Sequence, residues 1–305
     1  MPDEPAIEIV DVSPRDGLQN ERKTLSTEAK VELVTRLIAA GARRIEVTSF
    51  VNPAKVPQLA DAEELMRRVP REPGVRYIGL ALNERGVSRA LAAGVDEVNF
   101  VVVASDTFNR RNQGVDTHDS IEAVSRMAES VRAASRTLSV TIAAAFGCPF
   151  EGEVPVERVV DIARAMADLG VDELALADTI GVGVPADVTR RLGAVQEVTG
   201  PATLRCHFHD TRNTAVANAV AAYAAGVRVL DASAGGVGGC PFAPNATGNV
   251  AVEDLVYAFE RSGVATGLDL ARYIDTASWL GEELERPLPG ALHRAGPFPE
   301  PADKA

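Results

Sequence analysis

The chain has 305 residues, of which 46% are apolar and 24% charged, and Asp plus Glu exceed Lys plus Arg by 43 to 31. That balance excludes a disordered chain, a collagen-like repeat and a small disulfide scaffold. The net charge of −12 gives no general electrostatic reason to bind nucleic acid or an anionic membrane, so an anionic ligand needs a local cationic site.

The three cysteines are Cys148, Cys206 and Cys240. So few, and odd in number, they predict a reducing, cytoplasmic setting without disulfides. Met1 to Val10 holds no basic and apolar signal segment, and no apolar run approaches a membrane span.

Along the chain a phrase returns: Ala39-Ala40-Gly41, Ala92-Ala93-Gly94, Asp168-Leu169-Gly170 and Ala224-Ala225-Gly226, each followed by a short run containing Val or Ile. Each copy closes a helical pattern, sets Gly where the residue after a helix takes positive φ, and opens a strand. Repetition of this joint predicts eight strands at about 7–12, 43–48, 75–81, 95–103, 138–145, 172–177, 203–208 and 227–232. Helical periodicity lies between them, for example over 27–40, 58–69, 156–169 and 213–225. Near-continuous apolar strands such as Val98–Ala104 suit a parallel sheet covered outside. The pattern predicts an α/β fold, a (β/α)8 TIM barrel with two extra C-terminal helices at 252–261 and 268–283. No GxGxxG follows the first strand. One catalytic barrel is expected over 1–285, followed by a flexible, Pro-rich tail over 286–305 that frays from Pro287.

In such a barrel the chemistry sits at the C-terminal strand ends. There the sequence places Arg15-Asp16 after the first strand, Glu46 on the second, Asp178 on the sixth and His207-Phe208-His209 on the seventh. After the eighth come four glycines in five residues, Cys240 and then Asn249. His207 and His209, two apart on a strand, share one face. With Asp16 and Asn249 they make a mixed nitrogen and oxygen set that suits Mg²⁺, Mn²⁺ or Zn²⁺; the alternative is two histidines hydrogen-bonded at a strand end. Arg15 and Asp16, adjacent on an extended chain, are expected to point apart and to do separate jobs; the alternative is an ion pair that stabilises the first turn after the strand. Arg110 and Arg111 form a local basic patch after the fourth strand, expected to meet the phosphates of an anionic ligand or else to lie in a solvated loop. His118 and His293 are expected in solvent, and Cys148 and Cys206 in the core.

Several segments together resemble one family: 13-SPRDGLQNE-21, 48-TSFV-51, 147-GCPFEG-152, 178-DTIGVG-183, 207-HFHDT-211, 238-GGCP-241 and Gly248-Asn249. The chain resembles the hydroxymethylglutaryl-CoA lyases, members of the metal-dependent lyase and synthase barrels. The resemblance implies a Mg²⁺ or Mn²⁺ cofactor held by Asp16, His207, His209 and Asn249. It also implies that Arg15 neutralises a developing enolate oxygen and that Glu46 and Asp178 are carboxylates needed in the site. Cys240 matches the cysteine of a mobile loop that closes over substrate and takes part in proton transfer. The implied reaction is retro-Claisen cleavage of 3-hydroxy-3-methylglutaryl-CoA to acetyl-CoA and acetoacetate, with an acyl-CoA partner and a homodimeric assembly. Arg212-Asn213, the small apolar stretch over 141–145, and Ala175 and Ala177 depart from the family's usual pocket-wall residues, so a longer or differently branched 3-hydroxyacyl-CoA is an alternative substrate. The alternatives are a Claisen-type synthase of the same superfamily and a barrel without catalysis that serves as a binding module.

Overall fold

The computed structural model describes residues 5–239 and 247–299. Eight parallel strands close into a barrel in sequence order. They are β1 (Glu8–Asp11), β2 (Arg44–Ser49), β3 (Arg76–Leu80), β4 (Glu97–Val103), β5 (Thr137–Ala143), β6 (Glu173–Asp178), β7 (Thr203–Phe208) and β8 (Val229–Ala232). β1 closes the ring on β8, pairing Glu8 with Val229. Helices separate successive strands, and Val252–Arg261 and Leu270–Glu283 follow the last one. This is the (β/α)8 barrel with added C-terminal helices expected from the αβ joints. The four joint glycines, Gly41, Gly94, Gly170 and Gly226, all take positive φ. Among the described residues, no helix is long and apolar enough to cross a membrane.

Local sequence explains the helix starts. Ser26, Asn83, Ser105 and Asp116 each cap a helix, their side chains accepting a backbone N–H from three residues on. One expected helix, over 58–69, is broken into a 3-10 turn at Pro57–Leu59 and a helix over Ala62–Arg68. Residues 109–113 belong to a helix, Asp106–Gln113, where a loop was one expectation.

The outward side chains of the strands, such as Val98, Phe100, Val102, Leu174 and Leu176, join the helices in the main core. The inward ones are unusually polar. Near the N-terminal strand ends Arg44 reaches both Glu97 and Glu173 at 2.7 Å, and all three are buried. Arg205 adds a contact to Glu173 at 3.2 Å. Buried charges on this scale persist only when paired, and these pair across strands. They make a charged floor beneath the site.

The segment beyond 285, expected to fray, is packed at least to residue 295. Leu288 is 2% exposed and lies where a Cβ on Gly235 would stand, 2.3 Å from its Cδ1. Arg286 pairs with Glu21, and Asp254 accepts the N–H groups of Ala291 and Leu292. His293, expected in solvent, has a side chain 11% exposed and lies 3.8 Å from buried Glu253. His118 is exposed, and Cys148 and Cys206 are buried, as expected.

Candidate active site

Arg15 and Asp16 sit on a tight turn, Ser13–Gly17, in which the Gly17 N–H reaches back to Val12 O at 3.0 Å. The turn is stitched to the chain after β8: Ser13 Oγ accepts the Ala234 N–H at 2.7 Å. A Cβ at Gly17 would meet Val237 Cγ1 at 2.7 Å, so the two segments can pack this closely because glycine is there. On this helical turn Arg15 and Asp16 do not point apart. Arg15 Nη1 donates to Asp16 Oδ1 at 2.7 Å, while its Nε and Nη2 reach Glu46 Oε2 at 2.6 and 2.5 Å. The expectation of separate directions fails because the chain is helical here, and the alternative ion pair forms instead: Arg15 ties Asp16 to Glu46.

β7 brings His207 and His209 to one face, with ring centroids 5.1 Å apart. The Nε2 atoms of His207 and His209 lie 4.0 and 3.8 Å from Asp16 Oδ2. Asp16, His207 and His209 offer ligand atoms within 4.8 Å of one another, a group that could hold a metal ion. Asn249 pairs with His209 through an antiparallel bridge. Its Nδ2 donates to Asp16 Oδ2 at 2.9 Å and to Val237 O at 3.0 Å. Two acceptors therefore fix the amide nitrogen, and Oδ1 is the atom left buried without a partner. Gly248 permits this approach: at φ 140° a Cβ would stand 2.0 Å from Gly236 O.

The electrostatics suit cation binding. Burial opposes ionisation of Asp16, but Arg15 and the two imidazoles outweigh it and hold the carboxyl well below the usual range. Burial, reinforced by His207, pushes His209 down to about 4, so it is a neutral donor. For His207, burial is outweighed by Asp231 and Asp16 and the pKa rises. Two imidazole nitrogens, one carboxylate and an unpartnered amide oxygen fit a divalent cation.

Asp178 is held differently. Its Oδ1 accepts the Val182 N–H at 3.0 Å and its Oδ2 the Gly183 N–H at 2.8 Å, pinning the turn after β6. Arg110 and Arg111 lie on the helix after β4. Arg110 is 3.8 Å from Asp116, and Arg111 stacks on Phe150 at 4.1 Å. Cys240 lies outside the described residues.

Two residues of the site went unread in the sequence. Asp231 on β8 lies 3.1 Å from His207 Nδ1, and Asn99 on β4 donates to Glu46 Oε1 at 3.0 Å. The signal for each was a polar residue flanked by apolar ones within a strand, as in Leu230-Asp231-Ala232 and Val98-Asn99-Phe100.

A parallel (β/α)8 barrel whose C-terminal rim gathers two imidazoles, a carboxylate, an amide and an arginine carries an enzyme's constellation. Residues 6–280 match the HMGL-like family model, and the chain belongs to that family. It is 46% identical over 302 residues to the (R)-citramalyl-CoA lyase of Chloroflexus aurantiacus, covering 96% of this chain and 95% of that protein. It is 40% identical over 289 residues to the hydroxymethylglutaryl-CoA lyase YngG of Bacillus subtilis, covering 95% and 97%. Among solved structures, an HMG-CoA lyase from Acinetobacter baumannii in complex with coenzyme A and 3-methylmalate superposes with a TM-score of 0.92 at 37% identity, covering 97% and 98%. The chain is a carbon–carbon lyase of this family.

Proposed function

We propose that the protein is a divalent-metal-dependent lyase that cleaves a 3-hydroxy-3-methylacyl-CoA bearing a terminal carboxylate, releasing acetyl-CoA and an oxo acid. The convergence of Asp16, His207, His209 and the free Asn249 Oδ1 beside Arg15 carries this reading. These four residues would hold Mg²⁺ or Mn²⁺. When bound, the cation supplies Lewis-acid polarisation of the substrate's tertiary hydroxyl and lowers its pKa.

The chain's own residues do the rest. A general base takes the hydroxyl proton, the alkoxide oxygen becomes the ketone of the oxo acid as the adjacent C–C bond breaks, and that bond's electron pair passes to the thioester as an enolate. Arg15 donates from Nε to Glu46 and from Nη1 to Asp16, and its Nη2 lies 2.5 Å from Glu46 Oε2 as an ion pair. The remaining Nη N–H groups meet the enolate oxygen. Glu46 holds the guanidinium in place, and Asp178 fixes the loop after β6. Cys240 returns a proton to the acetyl carbon, with His207 as the other donor of suitable chemistry. Arg110 and Arg111 contact CoA phosphates.

Two thioesters fit this class. Cleavage of 3-hydroxy-3-methylglutaryl-CoA gives acetoacetate, and that of citramalyl-CoA, one methylene shorter, gives pyruvate. The 46% identity to a citramalyl-CoA lyase supports the shorter one as a substrate. Purified protein with Mn²⁺ is to be given each thioester, with acetyl-CoA and the oxo acid quantified. Release of acetyl-CoA from neither would refute the reading, and the ratio of kcat/KM values assigns the acyl chain.

A further inference from the structure

We propose that Asn99 is a positioning residue that acts through Glu46 to orient Arg15. The inference rests on the lyase reading and deepens it.

Asn99 is 2% exposed in the barrel interior, where β4 sets it level with Ser139 of β5. Its surroundings fix which way the amide points. Glu46 Oε1 lies 3.0 Å from Nδ2, and an ionised carboxylate can only accept. On the other side Thr141 Oγ1 lies 3.2 Å from Asn99 Oδ1. Ser139 Oγ lies 3.5 Å from the same oxygen, but its single proton goes to Glu97 Oε1 at 2.6 Å. Thr141 is therefore the donor that holds the amide oxygen, and the amide nitrogen must face Glu46.

Glu46 divides its two oxygens. Oε1 takes the Asn99 amide, and Oε2 takes both Nε and Nη2 of Arg15. Glu46 is 2% exposed, so water does not set its orientation. Rotation of the carboxylate about its terminal bond would move Oε2 away from Arg15, and the Asn99 amide opposes that rotation. The sequence Thr141, Asn99, Glu46, Arg15 is thus a continuous hydrogen-bonded line from β5 through β4 and β2 to the turn after β1. It ends on the group that meets the enolate.

A double-mutant cycle tests this. Asn99→Leu keeps the approximate volume and removes the donor. It is expected to lower kcat about 10- to 100-fold, the range for a hydrogen bond to a charged group, with KM changed less than about threefold. In an Arg15→Gln background, already slowed, the same substitution is expected to cost less than about threefold, because its route of action is gone. Thr141→Val should lose a smaller factor in kcat, and that loss should also vanish with Arg15→Gln. It serves if Asn99→Leu does not fold. Equal fold-losses in both backgrounds, or a kcat within twofold of the parent for the folded variants, would overturn the proposal while leaving the lyase reading intact. A parent that cleaves neither thioester would overturn both.

Discussion

Removing the charge of Asp231 should weaken metal binding without touching a ligand. Asp231 is 5% exposed, with Oδ2 3.1 Å from His207 Nδ1 and Oδ1 3.4 Å from Arg205 Nε. Burial raises its pKa, but Arg205 and His207 outweigh burial and hold it ionised. An ionised carboxylate only accepts, so Nδ1 carries the proton and the Nε2 lone pair faces Asp16. Asp231→Asn leaves an amide oxygen that can accept the same bond without the charge. A hydrogen bond to a charged group contributes about 1.5–3 kcal/mol and a neutral one about 0.5–1.5, so the difference is roughly 1–1.5 kcal/mol. At about 1.4 kcal/mol per decade, Mn²⁺ affinity should fall about tenfold. Asp231→Leu removes the acceptor altogether and should reach about 100-fold. Titration of the apoprotein with Mn²⁺, following the free ion by electron paramagnetic resonance, reads both. If both folded variants bind Mn²⁺ within about twofold of the parent, the tautomer argument is wrong.

Mn²⁺ affinity should also depend on pH, because metal competes with the proton on His207, whose pKa is raised, while His209 stays neutral down to about 4. Affinity should be level at alkaline pH and fall about tenfold per unit below the His207 pKa; a flat profile from pH 8 to 5 would contradict this. Replacing Arg110 and Arg111 together by Ala should raise KM for the thioester several-fold with kcat nearly unchanged, and an unchanged KM would remove their CoA role. Cys240→Ala should keep the fold and Mn²⁺ binding but lose most turnover; activity within about threefold of the parent would shift proton delivery to His207.

The barrel was legible because its αβ joints are local. Gly41, Gly94, Gly170 and Gly226 mark them by a conformation that each residue adopts by itself. Asp16, His207, His209 and Asn249 were legible because strand-end position and period-2 spacing on β7 are also local. What escaped depends on partners distant in sequence. The Arg15–Asp16 contact needs a turn whose hydrogen bond spans five residues, a geometry that no periodicity announces. Asn99 and Asp231 acquire meaning only from Glu46 and His207 on other strands. Leu288 looked like tail because its pocket is the missing side chain of Gly235, some fifty residues earlier.

The charge balance of the rim implies an order of binding. In the metal-free site Arg15 faces Asp16 and Glu46, His209 is neutral, and Asp231 is answered by Arg205 beneath it. Arg15 is thus outnumbered by carboxylates wherever His207 is neutral, and the chain around it is at −12, so above the His207 pKa a dicarboxylic acyl group meets no net attraction. A divalent cation beside Asp16 reverses the local sign. Two unit charges about 4 Å apart attract by roughly 4 kcal/mol at an effective dielectric of 20, before the discount for partial exposure. Citramalate, a hydroxy-dicarboxylate without the CoA arm, isolates this effect from the phosphates. Calorimetric titration should find it binding at least about tenfold more tightly to Mn²⁺-loaded protein than to protein stripped with chelator. Equal affinities would show that the metal is not required for acyl recognition.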